Sequence, residues 1–177
     1  VWNGKGITHD FVGIEPFTLD KEGWHHHLSD KTLLVIAPFK NTILRQAEKY
    51  PLIWNGSTVK KIKVVQSPYS EALTGKQPIR WKDKLDKILD DIDDAGDFDV
   101  ATVGCGGFSL LVCDYIKSLG KPSIHLGGGN QLLFGIRGKR WDGSFANYDW
   151  YGTNHWVRPM PEEIPQYNNL VEGGCYW

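Results

Sequence analysis

Four short apolar segments alternate with helical segments between residues 32 and 127, and this alternation restricts the fold more than any other feature. The apolar segments are TLLVIAPF (32–39), KIKVVQS (61–67), FDVATVGCG (98–106) and PSIHLG (122–127). A short continuous apolar run rich in β-branched residues is typical of a strand that is buried on both faces. Strands that alternate with helices form a parallel sheet through right-handed crossover connections. The sequence therefore predicts an α/β fold with an open parallel sheet.

Three helical segments separate the four strands. The segment 41–50 has Asn41 as a candidate N-cap and Pro51 as a stop. The segment 80–95 carries one apolar stripe and a charged remainder, and 108–120 is mostly apolar and is closed by Gly120. The predicted apolar stripe of the second helix consists of Trp81, Leu85, Ile88, Leu89 and Ile92.

The pattern predicts a Rossmann-like sheet of about four strands in the order 2-1-3-4, with helices on its faces. The 177 residues have the length of a single domain. We expect residues 1–30 to form an irregular lead-in and residues 142–177 to form an aromatic-rich tail that wraps over the sheet. Because the chain starts at Val1 rather than Met, we expect it to be a truncated piece of a longer protein.

Composition restricts the partners and the compartment. The formal net charge is -1, which predicts no nucleic-acid partner and requires any basic site to be local. No apolar stretch approaches the roughly 18 residues of a transmembrane helix, so we expect no membrane span. The cysteines, Cys105, Cys113 and Cys175, are odd in number and lack metal-type spacing, which indicates reduced thiols and a cytoplasmic location.

The ligand site of an open parallel sheet lies beyond the carboxyl ends of its strands, where the strand order reverses. The loops predicted to meet there are 38–40, 66–69, 104–109 and 126–131. Two of these loops are glycine-rich and precede helices or candidate helices, where unpaired backbone N–H groups favour a phosphate. The alternative interpretation is that each is a tight turn that binds nothing. The candidate binding residues in these loops are Phe39, Lys40, Gln66, Ser67, Gly104, Gly106, Gly107, Gly127, Gly128, Gly129, Asn130 and Gln131.

A nicotinamide dinucleotide is a weaker candidate for this ligand. The segment GCGGFS places Gly104 and Gly106 as in the dinucleotide fingerprint, but Ser109 stands where a third small residue is needed. The following strand carries His125 rather than the Asp or Glu that holds the ribose. An NAD-dependent oxidoreductase therefore remains an alternative, as does a non-catalytic nucleotide-binding or phosphate-binding module.

Several long segments resemble a known group of proteins. They are LLVIAPFKNTILRQ, KVVQS, FDVATVGCGGFSLLVCDYIKSLGKPSIHLGGGNQLLFGIRGKRW and VRPMPEEIP followed by NNLVEGGCYW. Over about residues 24–177 the chain resembles the C-terminal half of a bacterial and viral family that is similar to glycosyltransferases of the GT-D fold. The resemblance implies a nucleotide-diphospho-sugar donor and a glycan acceptor with a hydroxyl group.

The same resemblance bears on metal binding. GT-D enzymes carry an Asp-x-Glu motif in their N-terminal half, so a divalent metal is expected only if such a segment exists upstream of this chain. Asp20 and Glu22 have that spacing, but they lie in the lead-in and are given no role. The consecutive residues His25, His26 and His27 have no evident carboxylate or cysteine partner, so we assign no metal ligand.

The segment 123–141 combines glycines, amides and cations. Gly127, Gly128 and Gly129 would let the backbone approach a donor, and Asn130 and Gln131 would hydrogen-bond a base, ribose or sugar. The cations of the following loop, which would neutralise a diphosphate leaving group, are Arg137, Lys139 and Arg140.

This interpretation has alternatives. The cationic loop could simply be exposed, or Arg140 could be a structural anchor paired with Asp142, Glu162 or Glu172. His125 is the candidate catalytic residue, as an acid, base or phosphate partner, or else a structural histidine. Cys105 is either a nucleophile at a helix start or a small buried residue.

Overall fold

The four predicted strands form one parallel sheet. The computed structural model describes residues 23–147, 149 and 151–177, so most of the predicted lead-in, residues 1–22, lies outside the described residues. The strands are β1 (Thr32–Ala37), β2 (Lys61–Gln66), β3 (Val100–Val103) and β4 (Ser123–His125). All neighbours are parallel, and the strand order is β2-β1-β3-β4. The predicted fold class and strand order are confirmed.

Helical segments connect the strands and follow the last one. They are α1 (Lys40–Ala47), α2 (Tyr50–Ile53), α3 (Glu71–Thr74), α4 (Trp81–Ala95), α5 (Ser109–Ser118), α6 (Gly129–Leu132) and α7 (Lys139–Asp142). A 3-10 turn, Gly106–Phe108, leads directly into α5. The three predicted helices correspond to α1, α4 and α5, while α2, α3, α6 and α7 are single turns that the periodicity did not indicate.

The first helix differs from its prediction at both ends. Its N-cap residue is Phe39 rather than Asn41, and no side chain of the cap residue bonds the helix. The helix ends at Ala47, and Pro51 lies in the first turn of α2. Proline is tolerated there because its missing N–H would have no partner within the helix.

The central strand β1 is buried on both faces. Leu33 and Val35 belong to one core layer, and Leu34 and Ile36 belong to the other. The first layer contains residues of α1 and α2 and of the C-terminal tail, while the second contains residues of α4 and α5. This two-sided burial explains why β1 is a continuous apolar run rather than an alternating one.

The C-terminal residues pack on the first layer of the sheet. Trp156 and Trp177 are buried in that layer, and Ile136 forms an isolated parallel bridge with Val157. Past α7, the described secondary structure consists of this bridge and short 3-10 turns, one of them Pro161–Glu163. The tail is therefore held mainly by side-chain packing and little by regular backbone pairing.

One residue of the predicted apolar stripe on α4 is not in the core. Ile88 and Ile92 are buried as expected, but Trp81 is 63% exposed. Trp81 is the first residue of the helix, and it lines the cavity described below instead of covering the sheet. The helical periodicity places residues on a face, but it does not show where that face extends past the sheet.

Two compositional expectations concern the whole chain. Among the described residues, none of the helices combines the length and apolar character that a membrane crossing requires. Cys105, Cys113 and Cys175 are free thiols, as the odd cysteine count indicated. The cytoplasmic location stays a prediction.

The histidine at position 25 is deeply buried in a short 3-10 turn, Trp24–His27. Its ring lies 4.6 Å from that of Trp54 and 4.0 Å from that of His26, measured between centroids. Neither ring nitrogen has a hydrogen-bond partner among the described residues. Burial, with a smaller contribution from charge on His26 and His27, lowers the pKa of His25 to about 3. The folded state therefore requires this imidazole to be neutral.

This burial makes stability depend on pH. The unfolded chain takes up a proton near the ordinary pKa of 6.5 and the folded chain only near 3, so stability is complete above pH 6.5 and falls below it. Between pH 7 and pH 5 we expect a loss of about 2 kcal/mol in the free energy of unfolding from this group. Urea denaturation of the wild type and of His25→Phe at both pH values measures this loss. If the variant loses the same free energy of unfolding between pH 7 and pH 5, His25 is not its source.

Candidate functional site

A cavity of about 490 Å³ lies at the carboxyl ends of the strands. All four loops that the sequence predicted to meet at this edge contribute to its lining. The predicted binding residues that line it are Phe39, Ser67, Gly104, Gly106, Gly107, Gly127, Gly128, Asn130 and Gln131. The position of the candidate site thus follows from strand order alone, and the structure brings together most of the residues that were expected there.

The amino end of α1, next to this cavity, is capped by the carboxylate of Glu163. The backbone N–H of Asn41 donates to Oε1 at 2.6 Å, and that of Thr42 donates to Oε2 at 3.0 Å. The Thr42 hydroxyl also donates to this carboxylate. Glu163 is 5% exposed, so its charge is stabilised by these donors rather than by water.

This cap changes the expected role of the first loop. The helix start after β1 is a common phosphate site in parallel α/β folds, but here a carboxylate of the chain already occupies it. Phe39 is buried and offers an aromatic edge to the cavity, while Lys40 is exposed. A phosphate in this cavity therefore has to bind at other backbone amides.

Two glycines allow the loops around the cavity to touch. A Cβ on Gly104 would lie 2.4 Å from the carbonyl oxygen of Gly127 and 2.9 Å from Cβ of Asn130. A Cβ on Gly128 would lie 2.5 Å from the ring of Tyr176. Because neither position has room for a side chain, these glycines have a packing role whether or not a ligand binds.

Free backbone amides lie at the start of α5. In the described chain, the N–H groups of Gly106 and Gly107 donate to no protein acceptor, and a Cβ on either residue would meet open space. Neither α4 nor α5 has a side-chain cap at its amino end, and both helices begin at the cavity. The side chain of Lys84, in the first turn of α4, lines the cavity as well, and its ammonium group donates to the carbonyl of Tyr69 at 3.1 Å. These groups can bind an anion.

The two amide side chains are oriented by the backbone. Asn130 Nδ2 donates to the carbonyl of Ile36 at 3.1 Å, and Gln131 Nε2 donates to the carbonyls of Ile136 and Tyr176, each at 3.2 Å. The Asn130 and Gln131 side-chain oxygens are buried and have no partner among the described residues. These side chains can therefore accept hydrogen bonds from hydroxyl or N–H groups, but they cannot bind a phosphate.

Sequence reasoning missed the aromatic part of the lining. Tyr69, Trp81, Tyr176 and Trp177 all line the cavity, and the Tyr69 and Trp177 ring centroids are 6.1 Å apart. The Tyr69 hydroxyl and the Trp177 indole both donate to the carbonyl of Glu163, at 2.5 Å and 3.2 Å. No local pattern signals such a wall, because its members come from three distant parts of the chain.

The predicted basic residues lie outside the lining. Arg140 donates to Tyr176 Oη at 2.9 Å and forms an ion pair with Glu172 at 2.9 Å, which is one of the anchors considered from the sequence. Arg137 Nε lies 3.9 Å from the carboxylate of Asp142, and Lys139 is exposed. Their role toward a diphosphate stays a prediction.

Four other predicted residues are also not in the lining. His125 is exposed at the end of β4, and Gly129 is buried at the start of α6. Lys40 and Gln66 line a neighbouring groove of about 830 Å³ on the β2 side. The Gln66 amide donates to the carbonyl of Pro38 at 2.6 Å, so it fixes the loop rather than facing the cavity. The catalytic role of His125 stays a prediction.

The lining offers little to a metal or to a nucleophilic mechanism. Its described residues include no carboxylate and no imidazole, and no described cluster of His, Cys, Asp or Glu is arranged to hold a metal ion. The described residues therefore supply no metal-ligand set of their own. Burial raises the pKa of the Cys105 thiol, which favours the neutral, structural form.

Comparison with known proteins adds no family to this geometry. No protein-family model, no curated protein and no solved structure matches the chain.

The Glu163 cap can be tested by substitution. Glu163→Ala leaves the Asn41 and Thr42 amides without an acceptor, so we expect the free energy of unfolding to fall by about 2–4 kcal/mol. Glu163→Gln keeps one acceptor and should cost roughly half as much. Urea denaturation measures both, with the exposed neighbour Glu162→Ala as the control. Equal stability of the Ala variants at positions 162 and 163 would show that the cap is unimportant.

Replacing Arg140 tests whether this side chain is a structural anchor or a ligand of the diphosphate. Because Arg140 is partly exposed and paired with Glu172, Arg140→Ala should lower the free energy of unfolding by no more than about 1 kcal/mol. Nucleotide affinity, measured by calorimetry on the folded variant, should change by less than about threefold. Lys121→Ala, which removes an exposed ion pair with Asp97 outside the cavity lining, is the matched control. A tenfold or larger loss confined to Arg140→Ala would instead support the diphosphate role.

Proposed function

We propose that the cavity binds a nucleotide, and that it is the donor site of a glycosyltransferase that moves sugar from a nucleotide-diphospho-sugar to a hydroxyl of a glycan acceptor. The observation that carries the proposal is that one cavity combines two kinds of lining group. The free amides at the start of α5 and the Lys84 ammonium group suit an anion, while the aromatic rings and the amide side chains suit a flat ring with hydroxyl and N–H groups. A nucleotide combines the same two parts.

The phosphate part is proposed to lie at the start of α5. The amides of Gly106 and Gly107 have no protein acceptor and no side chains above them, so phosphate oxygens can approach the backbone closely. In sugar transfer, the bond between the anomeric carbon and the diphosphate oxygen breaks while the acceptor oxygen bonds that carbon and releases its proton to the departing diphosphate or to water. Negative charge then develops on the departing diphosphate, where these amides and the Lys84 ammonium group would stabilise it.

The nucleoside part is proposed to lie against the amides and the aromatic wall. The buried oxygens of Asn130 and Gln131 accept hydrogen bonds only, and the ribose hydroxyls and base N–H groups are donors of that kind. The rings of Tyr69 and Trp177 offer apolar surface. The sequence resemblance to GT-D glycosyltransferases supports the sugar as the transferred group.

A nucleotide-binding module without turnover is the second candidate. It is favoured by one observation: the described lining has no carboxylate or imidazole to take the proton of an acceptor hydroxyl. Measuring donor hydrolysis beside binding separates the two candidates, because only the transferase releases free sugar from a bound nucleotide-sugar.

Ligand-dependent melting tests the nucleotide site. At about 100 times the Kd, a nucleoside diphosphate or its sugar should stabilise the chain by about 2.7 kcal/mol, which raises the melting temperature by roughly 5–10 °C. NAD should raise it less. Differential scanning fluorimetry with UDP, ADP, GDP and their sugars measures the shift, and equal stabilisation by NAD would reverse the ranking.

A matched pair of variants locates the binding site. Gly107→Asp places a carboxylate at the free amides in open space, so it should abolish the shift while leaving the fold intact. Gly143→Asp makes the same change at an open glycine outside the cavity lining and should retain the shift. Equal shifts in the two variants would place the nucleotide elsewhere.

A further inference from the structure

Trp81 is a large aromatic side chain that the fold leaves uncovered. It is the first residue of α4, it is 63% exposed, and it lines the cavity. Among the described residues, its ring makes no aromatic stack, no cation-π contact and no hydrogen bond. Its neighbour in the lining, Ile79, is 56% exposed. An uncovered indole in the wall of a cavity is available to a ligand.

Core packing does not account for this tryptophan. Helical periodicity places Trp81 on the apolar stripe of α4, yet the core of that helix is formed by Ile88 and Ile92, which are fully buried. An exposed indole contributes little to the stability of the helix, whereas covering it with a ligand would be favourable. The structure therefore assigns Trp81 to the cavity rather than to the stability of the helix.

The chemistry of the indole selects the part of the ligand that it contacts. An indole face carries partial negative charge and does not attract a phosphate, but it stacks well on another flat ring. Tyr69 and Trp177, the rings proposed to lie beside the nucleoside part of the ligand, line the same cavity as Trp81. The indole is therefore suited to the nucleobase, and the amides of Gly106 and Gly107 remain the proposed position of the phosphates.

We propose that Trp81 is the platform on which the nucleobase of the bound nucleotide stacks. The inference rests on the proposed function, because it takes the cavity ligand to be a nucleotide. It goes further by assigning recognition of the base to one residue. Stacking of this kind tolerates every base, so Trp81 contributes affinity for a nucleotide over a base-free phosphate.

Calorimetric titration with two kinds of probe tests the proposal. The probes are the nucleoside diphosphate that stabilises the wild-type chain most, chosen from UDP, ADP and GDP, and pyrophosphate, which lacks a base. Trp81→Ala should weaken nucleotide binding by about tenfold or more and leave pyrophosphate binding unchanged. Trp81→Phe, which keeps a flat ring, should restore most of the affinity.

A control separates stacking from a general loss of apolar surface. Leu110 lies in the first turn of α5, is 72% exposed and does not line the cavity. Leu110→Ala should bind both probes as the wild type does, and both variants should melt at the wild-type temperature because neither residue is buried.

The outcomes distinguish this inference from the proposed function. If the wild type binds a nucleotide and Trp81→Ala binds it equally well, the stacking role is wrong and the nucleotide site stands. An equal loss of pyrophosphate affinity in Trp81→Ala would also overturn stacking, since that ligand has no base. If the wild type binds no nucleoside diphosphate, the proposed function fails and the assignment of Trp81 fails with it.

Discussion

The carboxylate of Glu163 holds together the parts of the molecule that form the cavity. Its two carboxylate oxygens accept hydrogen bonds from backbone N–H groups in the first turn of α1. Its backbone carbonyl accepts hydrogen bonds from the Tyr69 hydroxyl and the Trp177 indole. One residue thus joins the helix after β1, the loop after β2 and the C-terminal tail. A buried carboxylate is costly without partners, and here each partner also positions a wall of the cavity. The cap thus couples the position of the tail to that of α1.

The same interaction directs where a ligand can bind. In a parallel α/β sheet, several helix starts meet at the carboxyl edge, and each is an attractive position for an anion. Glu163 fills the first of them, so the free amides of Gly106 and Gly107 are left for an external anion. The floor of the cavity is formed by side chains whose donors already bond the backbone, Asn130 and Gln131. The lining therefore offers both N–H donors for an anion and side-chain oxygens that accept hydrogen bonds.

The sequence predicted the sheet, its order and the edge where the loops meet, because these depend on apolar runs and on the handedness of crossovers. It did not predict the Glu163 cap, since nothing local links that residue to Asn41. It placed Trp81 in the core, because periodicity shows which residues share a face of a helix but not which part of that face lies beyond the sheet. It grouped Arg140 with the site because the residues are neighbours in sequence, whereas in the structure Arg140 pairs with Glu172.

The distance along the chain between the two sides of the Glu163 cap bears on how the protein folds. Asn41 and Glu163 are 122 residues apart, so this contact closes a loop that contains most of the sheet. Closing so long a loop costs more entropy than forming local helices, so we expect this contact to form after the sheet. The sheet can assemble before the aromatic wall arrives, and the cavity acquires Tyr176 and Trp177 only when the tail docks. A ligand that touches this wall would therefore also act as a clamp on the last segment to fold, and would slow its local detachment.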